Sequence, residues 1–178
     1  MKYLSEKENG LVKEKSVNGV NIKVKFLPID YLVYKEFRSD TINGLSVDSI
    51  KKSYQNSITF MMTLGPDKEN NFDITKVGVA NYEEFAQRIE ELNFWMKENV
   101  TLTVGDKVVN TELAQMESTY GLEKDRKIIF VFQNKDEKGQ SILTEDITFT
   151  YKDEIFYTGI NKFKFRIDDI NSLPEFKF

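Results

Sequence analysis

The chain has 178 residues, 40% of them hydrophobic, with 25 basic and 29 acidic side chains and a net charge of −4. That length suits one domain with its own core, and the mild, interspersed acidity excludes bulk attraction to a nucleic-acid backbone. Cysteine and histidine are both absent, which excludes thiol nucleophiles, disulfides, thiolate zinc sites and iron–sulfur clusters, together with the commonest general base and transition-metal ligand.

Any catalysis would therefore run on carboxylates, Lys, Tyr or Ser/Thr. Aromatic residues make up 13% of the chain, with 14 Phe and 8 Tyr against one Trp. Large flat side chains suit pleated, half-buried surfaces, so the composition leans toward sheet.

In chain order, residues 1–10 lack the apolar centre of a signal peptide. Leu11–Val17 and Val20–Leu27 flank Asn18-Gly19. Val20, Ile22, Val24 and Phe26 alternate with polar residues, and Asn-Gly between two such runs predicts a β-hairpin because both residues tolerate positive φ. Pro28 ends the second strand. Asp30 is placed to cap a short helix to about Ser39, with Leu32, Val33 and Phe37 as its apolar stripe. Asp40–Leu45, with Asn43-Gly44, reads as a turn, and Val47–Gln55 as either a short helix or an irregular segment. Ser57–Leu64 is a compact apolar run stopped by Gly65-Pro66, and its length favours a buried strand.

The spacing predicts one long amphipathic helix over Tyr82–Glu98. Asn81 and Glu84 form a capping-box pair, and Phe85, Ile89, Leu92 and Met96 share one face. Beyond it, strands are expected at Val100–Val104, from Lys107 after the Gly105-Asp106 turn, and at Ile128–Gln133, Asp146–Tyr151 and Lys162–Ile167. Ile128–Gln133 is the most hydrophobic and is expected at the centre of the sheet. Asn134–Gln140 reads as a charged loop, and Leu173-Pro174 closes the last element. The expected fold is α+β, an antiparallel β-sandwich or curled sheet with the long helix near 82–98 and an N-terminal hairpin plus short helix. Residues 1–178 are read as one domain, in which residues 1–98 pack on the strand-rich residues 99–178.

Four constellations carry chemistry. Asp67, Glu69, Asn70, Asn71 and Asp73 could offer oxygens to calcium, but their spacing is not that of an EF-hand, and a solvated loop is the plainer reading. Asp153-Glu154, beside Tyr151, Phe156 and Tyr157, could form a carboxylate pair on an aromatic platform, as in carbohydrate sites. Adjacent strand residues point to opposite faces, so a turn between strands is the better reading. Trp95, between Phe94 and Met96, is read as core packing before partner anchor. Lys162, Lys164 and Arg166 read as charge guarding an edge strand before an anionic contact. Phosphate-binding, dinucleotide and nucleophile-elbow motifs are absent from the sequence, so no cofactor, metal or catalytic residue is expected, and no stretch reaches the length of a membrane helix.

The opening Tyr3-Leu4-Ser5-Glu6-Lys7-Glu8-Asn9-Gly10-Leu11 with Val17-Asn18-Gly19-Val20 resembles the start of the mature region of small uncharacterised lipoprotein-like proteins of Bacteroidota. Asp146-Ile147-Thr148-Phe149-Thr150-Tyr151, Asp153-Glu154-Ile155-Phe156 and Phe163-Lys164-Phe165 are similar to their C-terminal strands. The likeness covers about a third of the chain and lacks the lipidated cysteine. It implies an envelope location if a leader has been removed, and otherwise the cytoplasm applies.

The function expected is a non-enzymatic binding or assembly module, of a bacterial cell envelope, that meets a protein partner through a sheet face or edge. The alternatives are a carboxylate-based enzyme or carbohydrate-binding domain at Asp153 and Glu154, and a cytosolic immunity or accessory protein of a toxin system.

Overall fold

The computed structural model describes residues 9–38, 46–118 and 123–173. Its frame is one antiparallel sheet of eight strands: β1 (Val12–Val17), β2 (Val20–Leu27), β3 (Ser57–Pro66), β4 (Val100–Val104), β5 (Lys107–Met116), β6 (Arg126–Gln133), β7 (Ile147–Asp153) and β8 (Gly159–Phe165). Their order across the sheet is β1-β2-β3-β6-β5-β4-β7-β8. The helices are short: α1 (Ile29–Phe37), α2 (Val47–Tyr54), α3 (Tyr82–Glu90) and α4 (Ile167–Asn171).

The sheet curls until its two edge strands face one another, giving a nearly closed barrel. This corrects the expected antiparallel sandwich or curled sheet with one long helix. Alternation along each strand demands one dry face, and that demand is met equally by two stacked sheets or by one sheet wrapped on itself. The choice is made inside. Phe60 of β3 lies 5.4 Å from the ring of Phe26 on its neighbour β2, and also 5.2 Å from Phe149 of β7 and 5.1 Å from Phe165 of β8. Strands that stand far apart in the sheet order thus meet ring to ring across the interior.

The seam between β1 and β8 is closed by side chains. Lys15 Nζ donates to Asn161 Oδ1 at 3.2 Å, Asn18 Nδ2 donates to the Tyr157 carbonyl at 3.1 Å, and the Lys13 ammonium lies 5.9 Å from the centre of the Phe165 ring. The β1–β2 hairpin forms at Asn18 and Gly19, whose φ values of 51° and 79° are those of a type I′ turn. β6 occupies the fourth place in the sheet, between β3 and β5, so N-terminal and C-terminal strands share one sheet.

The expected long helix over 82–98 is also corrected. Asn81 caps α3 as its spacing implies, accepting from the Glu84 amide at 2.9 Å, while Glu84 Oε2 accepts from the Ala80 amide at 2.8 Å. The α-helix itself ends at Glu90 after nine residues. It passes into a π turn at Glu91–Trp95 and a 3₁₀ turn at Met96–Asn99. The physical reason lies at Asn93. Its side-chain amide donates to the Ile89 carbonyl at 2.7 Å, the acceptor that its own backbone amide would take in a regular α-helix. The change of pitch leaves Leu92 and Met96 both fully buried in the common core, and the segment packs on β4, β5 and β7.

Smaller differences follow local chemistry. α1 is capped by Pro28 and not by Asp30, whose carboxylate pairs instead with Lys51 of α2 at 2.7 Å. The ambiguous stretch after Val47 is helical because Ser46 accepts from the Ser49 amide at 3.2 Å. The turn expected at Asp40–Leu45 and the residue Pro174 lie outside the described residues.

Because Phe60 joins rings from four other strands, Phe60→Ala is expected to lower stability by about 4 kcal/mol. A urea midpoint unchanged from wild type would show that the barrel interior does not depend on this ring.

Candidate functional site

The inner face of the sheet is the core, but β3 and β6 carry apolar side chains on their outer face as well. Core residues Ile58, Phe60, Met62 and Leu64 on β3, and Ile128, Phe130 and Phe132 on β6, point inward. The intervening residues Thr59, Met61, Ile129 and Val131 point outward. Register aligns them into rows. Leu27 pairs with Thr59, Thr59 with Val131, and Val131 with Leu113, so one row crosses β2, β3, β6 and β5; Met61 pairs with Ile129 in the next.

Leu113 reaches this face only through a β-bulge. Before it, Thr111 points inward, and its hydroxyl donates to the buried Val100 carbonyl at 2.6 Å. Thr111 pairs with Phe132 and Leu113 with Val131, so Glu112 is the extra residue. An unbroken strand would put Leu113 on the same side as Thr111. The bulge reverses the parity and sets Leu113 outside, half exposed at 50%.

α1 and α2 lie over part of this outer face, leaving a groove of about 380 Å³. Tyr31 and Leu32 of α1 form one wall, and Met61, Ile129, Val131 and Leu113 form the floor and far side. Polar groups stand at its margin. The Tyr54 hydroxyl donates to Glu36, and burial, followed by that hydrogen bond, pushes the phenol up to about 12. Lys35 forms an ion pair with Glu117 at 3.0 Å. Lys25 sits over the Tyr31 ring at 5.3 Å, and burial followed by the nearby Lys23 lowers its ammonium pKa. The groove is suited to taking up an apolar side chain or segment.

The residues singled out in sequence are elsewhere. Asp153 ends β7 and is buried. Its Oδ1 accepts from the Tyr151 hydroxyl at 2.7 Å and from the amides of Ile155 and Phe156 at 3.0 Å each. Its Oδ2 accepts from the Thr158 amide at 2.8 Å and hydroxyl at 2.6 Å. Burial pushes the carboxyl up, but the Thr158 hydroxyl and the amides of Phe156 and Thr158 outweigh it and hold the pKa below the usual carboxylate value. Burial and the adjacent carboxylate drive the Tyr151 phenol well above its ordinary range.

Glu154, by contrast, is exposed and pairs with Lys152. The two carboxylates do not meet; one organises the β7–β8 loop and the other faces solvent. Phe156 is buried beneath the Arg88 guanidinium, 5.1 Å from its ring centre, and Tyr157 is exposed with φ at 58°. The carboxylate pair beside an aromatic platform is therefore not assembled at this position.

Several oxygens of the 67–73 loop are engaged by protein donors. Asp67 Oδ1 accepts from the Glu69 amide at 3.1 Å and from Asn70 Nδ2 at 2.7 Å, and Asn71 Oδ1 accepts from Lys124. Both Asp73 oxygens accept from Arg126 Nη2 at 3.0 Å, and Oδ1 also accepts from the Thr75 amide and hydroxyl. Among the described residues, no group of three or more acidic side chains is placed to hold a metal ion. Trp95 is half exposed, at 51%, with Phe94 beside it at 71%, so the expected core packing is carried by Leu92 and Met96 instead. Lys162, Lys164 and Arg166 are exposed; Lys164 pairs with Asp146 at 2.9 Å and Arg166 with Asp169 at 2.6 Å.

Sequence reasoning missed the groove. A signal existed in Ser57–Leu64 and Ile128–Gln133, which are apolar at both parities where a strand with one wet face would alternate. Leu113 left no signal, because its direction is set by the bulge.

No protein-family model matches the chain, and no curated protein matches it. Among solved structures, the chain is similar to one described as a novel protein of unknown function from Burkholderia pseudomallei K96243. The identity is 13%, over 97% of this chain and 86% of that one, with a TM-score of 0.43. A likeness at that level carries no argument about activity.

The depressed Asp153 pKa stabilises the fold above the unfolded carboxylate value and is lost as pH falls through the folded one. Asp153→Asn is expected to lose about 2–3 kcal/mol at neutral pH, with the gap to wild type closing below about pH 4. Urea titrations at stepped pH would measure this, and a gap that persists undiminished in acid would contradict it.

Proposed function

We propose that the protein is a non-enzymatic binding module that meets a protein partner through the outer face of its sheet. The observation that carries this is the groove beside α1 and α2, where the row Leu27–Thr59–Val131–Leu113 runs from buried Leu27 and Thr59 through half-buried Val131 to Leu113, which is half exposed. A concave, mainly apolar lining that ends in an exposed leucine is the kind of surface that takes up a partner's side chain. The bulge at Glu112 adds support, since a strand irregularity that turns a leucine toward solvent weakens the monomer's own core.

Of the two surfaces a sheet can offer, the face is favoured over the edge. Both edge strands face each other across the seam, where Lys15 and Asn18 reach from the β1–β2 hairpin to β8 and the loop before it. An extended peptide adding to either edge would have to displace those contacts. A setting in a bacterial cell envelope rests on the sequence resemblance to lipoprotein-like proteins.

The groove's role is tested by Leu113→Glu combined with Ile129→Glu, both outward positions that leave the core face intact. Affinity capture from the native organism with wild type should recover a specific partner, and the double variant should lose it while keeping the wild-type circular dichroism spectrum. Val108→Glu, an exposed outward residue on β5 away from this groove, should retain it. Recovery of the same partner by the double variant would overturn the proposal.

A further inference from the structure

A second surface, sharing no residue with the groove, has a different character. The π turn at Glu91–Trp95 and the 3₁₀ turn after it bury Leu92 and Met96, and so turn Phe94 and Trp95 outward, with no ring stacked on either among the described residues. Trp95 forms one wall of a cleft of about 520 Å³ between this segment and the β7–β8 loop. The remaining walls include Glu90, Glu91, Glu98 and, from the loop, Glu154. The loop wall is held in place by Asp153, whose oxygens fix the amides of Ile155, Phe156 and Thr158.

Charge in this cleft is unbalanced. None of its lining residues is Lys or Arg. Lys152 pairs with Glu154, but Glu90 and Glu98 form no ion pair among the described residues, and Glu91 receives only the Gln87 side-chain amide at 3.1 Å. Arg88 is turned away to the Val77 carbonyl at 2.9 Å and the Phe156 ring, and Lys97, next to Glu98 in the chain, is exposed but does not line the cleft. Three carboxylates therefore share a concave surface with an exposed indole and no cation of the chain's own.

We infer that this face docks a basic segment of a partner protein, with one Lys or Arg side chain seated between the Trp95 ring and the carboxylates of Glu90 and Glu98. The complementarity is twofold. An indole face attracts a cation through its quadrupole, and arginine in particular stacks on such rings. The carboxylates supply the countercharge, and the exposed Phe94 supplies apolar contact for the segment's neighbouring residues. The surface is separate from the groove under α1 and α2, and neither depends on the other.

Trp95 is the chain's single tryptophan, so its emission reports on this face alone. Titration with a short peptide alternating arginine and leucine should give a saturable change in emission that weakens with added salt. Glu90→Gln with Glu98→Gln should weaken binding by about tenfold or more. Removing the same charge elsewhere, with Glu69→Gln and Glu137→Gln, should leave the affinity within about twofold, as bulk attraction alone would not. Leu113→Glu should not alter it, which separates failure here from failure of the groove. The inference is overturned if the glutamate–leucine counterpart binds equally well, if the remote pair of substitutions weakens binding as much as the local pair, or if free spermine matches the peptide and so points to a small polyamine.

Discussion

Everything in this structure depends on filling the interior of an eight-stranded sheet that has curled onto itself. Phe60 stands at the point where that requirement is met. Its ring touches those of Phe26 on the neighbouring strand and of Phe149 and Phe165 on strands that approach from the other half of the barrel. An eight-stranded barrel has an interior just wide enough for side chains to fill, so rings from opposite walls can meet without leaving a void. Once they meet, the edge strands are brought together, and polar side chains from the β1–β2 hairpin are enough to bridge the seam.

The closure explains how residues of similar type come to different ends. Asp153 and Glu154 are neighbours in the chain, yet one lies at the end of an inward-facing row and the other at the start of a loop in water. Burying Asp153 is tolerable only because five donors surround it, which is why it organises a loop and is poorly suited to exchange protons. Asp73 shows the same logic with Arg126 and Thr75. The proposed docking face lies where the polar groups do not converge, on the outer rows of β3 and β6.

Much of the local structure is legible in the residues alone. The Asn18-Gly19 hairpin, the Asn81–Glu84 cap and the Gly105 turn follow from short-range rules, because the interactions that decide them span a few residues, while the interior place of the strand ending at Gln133 is signalled by its unbroken apolar run. The long helix is not legible in full. Its apolar spacing is sound at Leu92 and Met96, but the Asn93 side chain competes for the Ile89 carbonyl and changes the pitch, a competition that periodicity does not express. Leu113 illustrates a second limit, since the insertion of Glu112 reverses side-chain parity only once β5 is paired with β6.

By itself, then, the sequence determined which segments are strands, where the tight turns fall and which chemistries are out of reach without cysteine or histidine. Those properties are local, or are matters of which atoms exist at all. The tertiary structure alone decided that one sheet closes into a barrel where two could have stacked, that Leu113 and Trp95 face outward, and that Asp153 and Glu154 part company. Each of these turns on pairing between residues distant in the chain. A dry strand face is satisfied by any apolar neighbour, so only the registry of long-range partners specifies which neighbour it has.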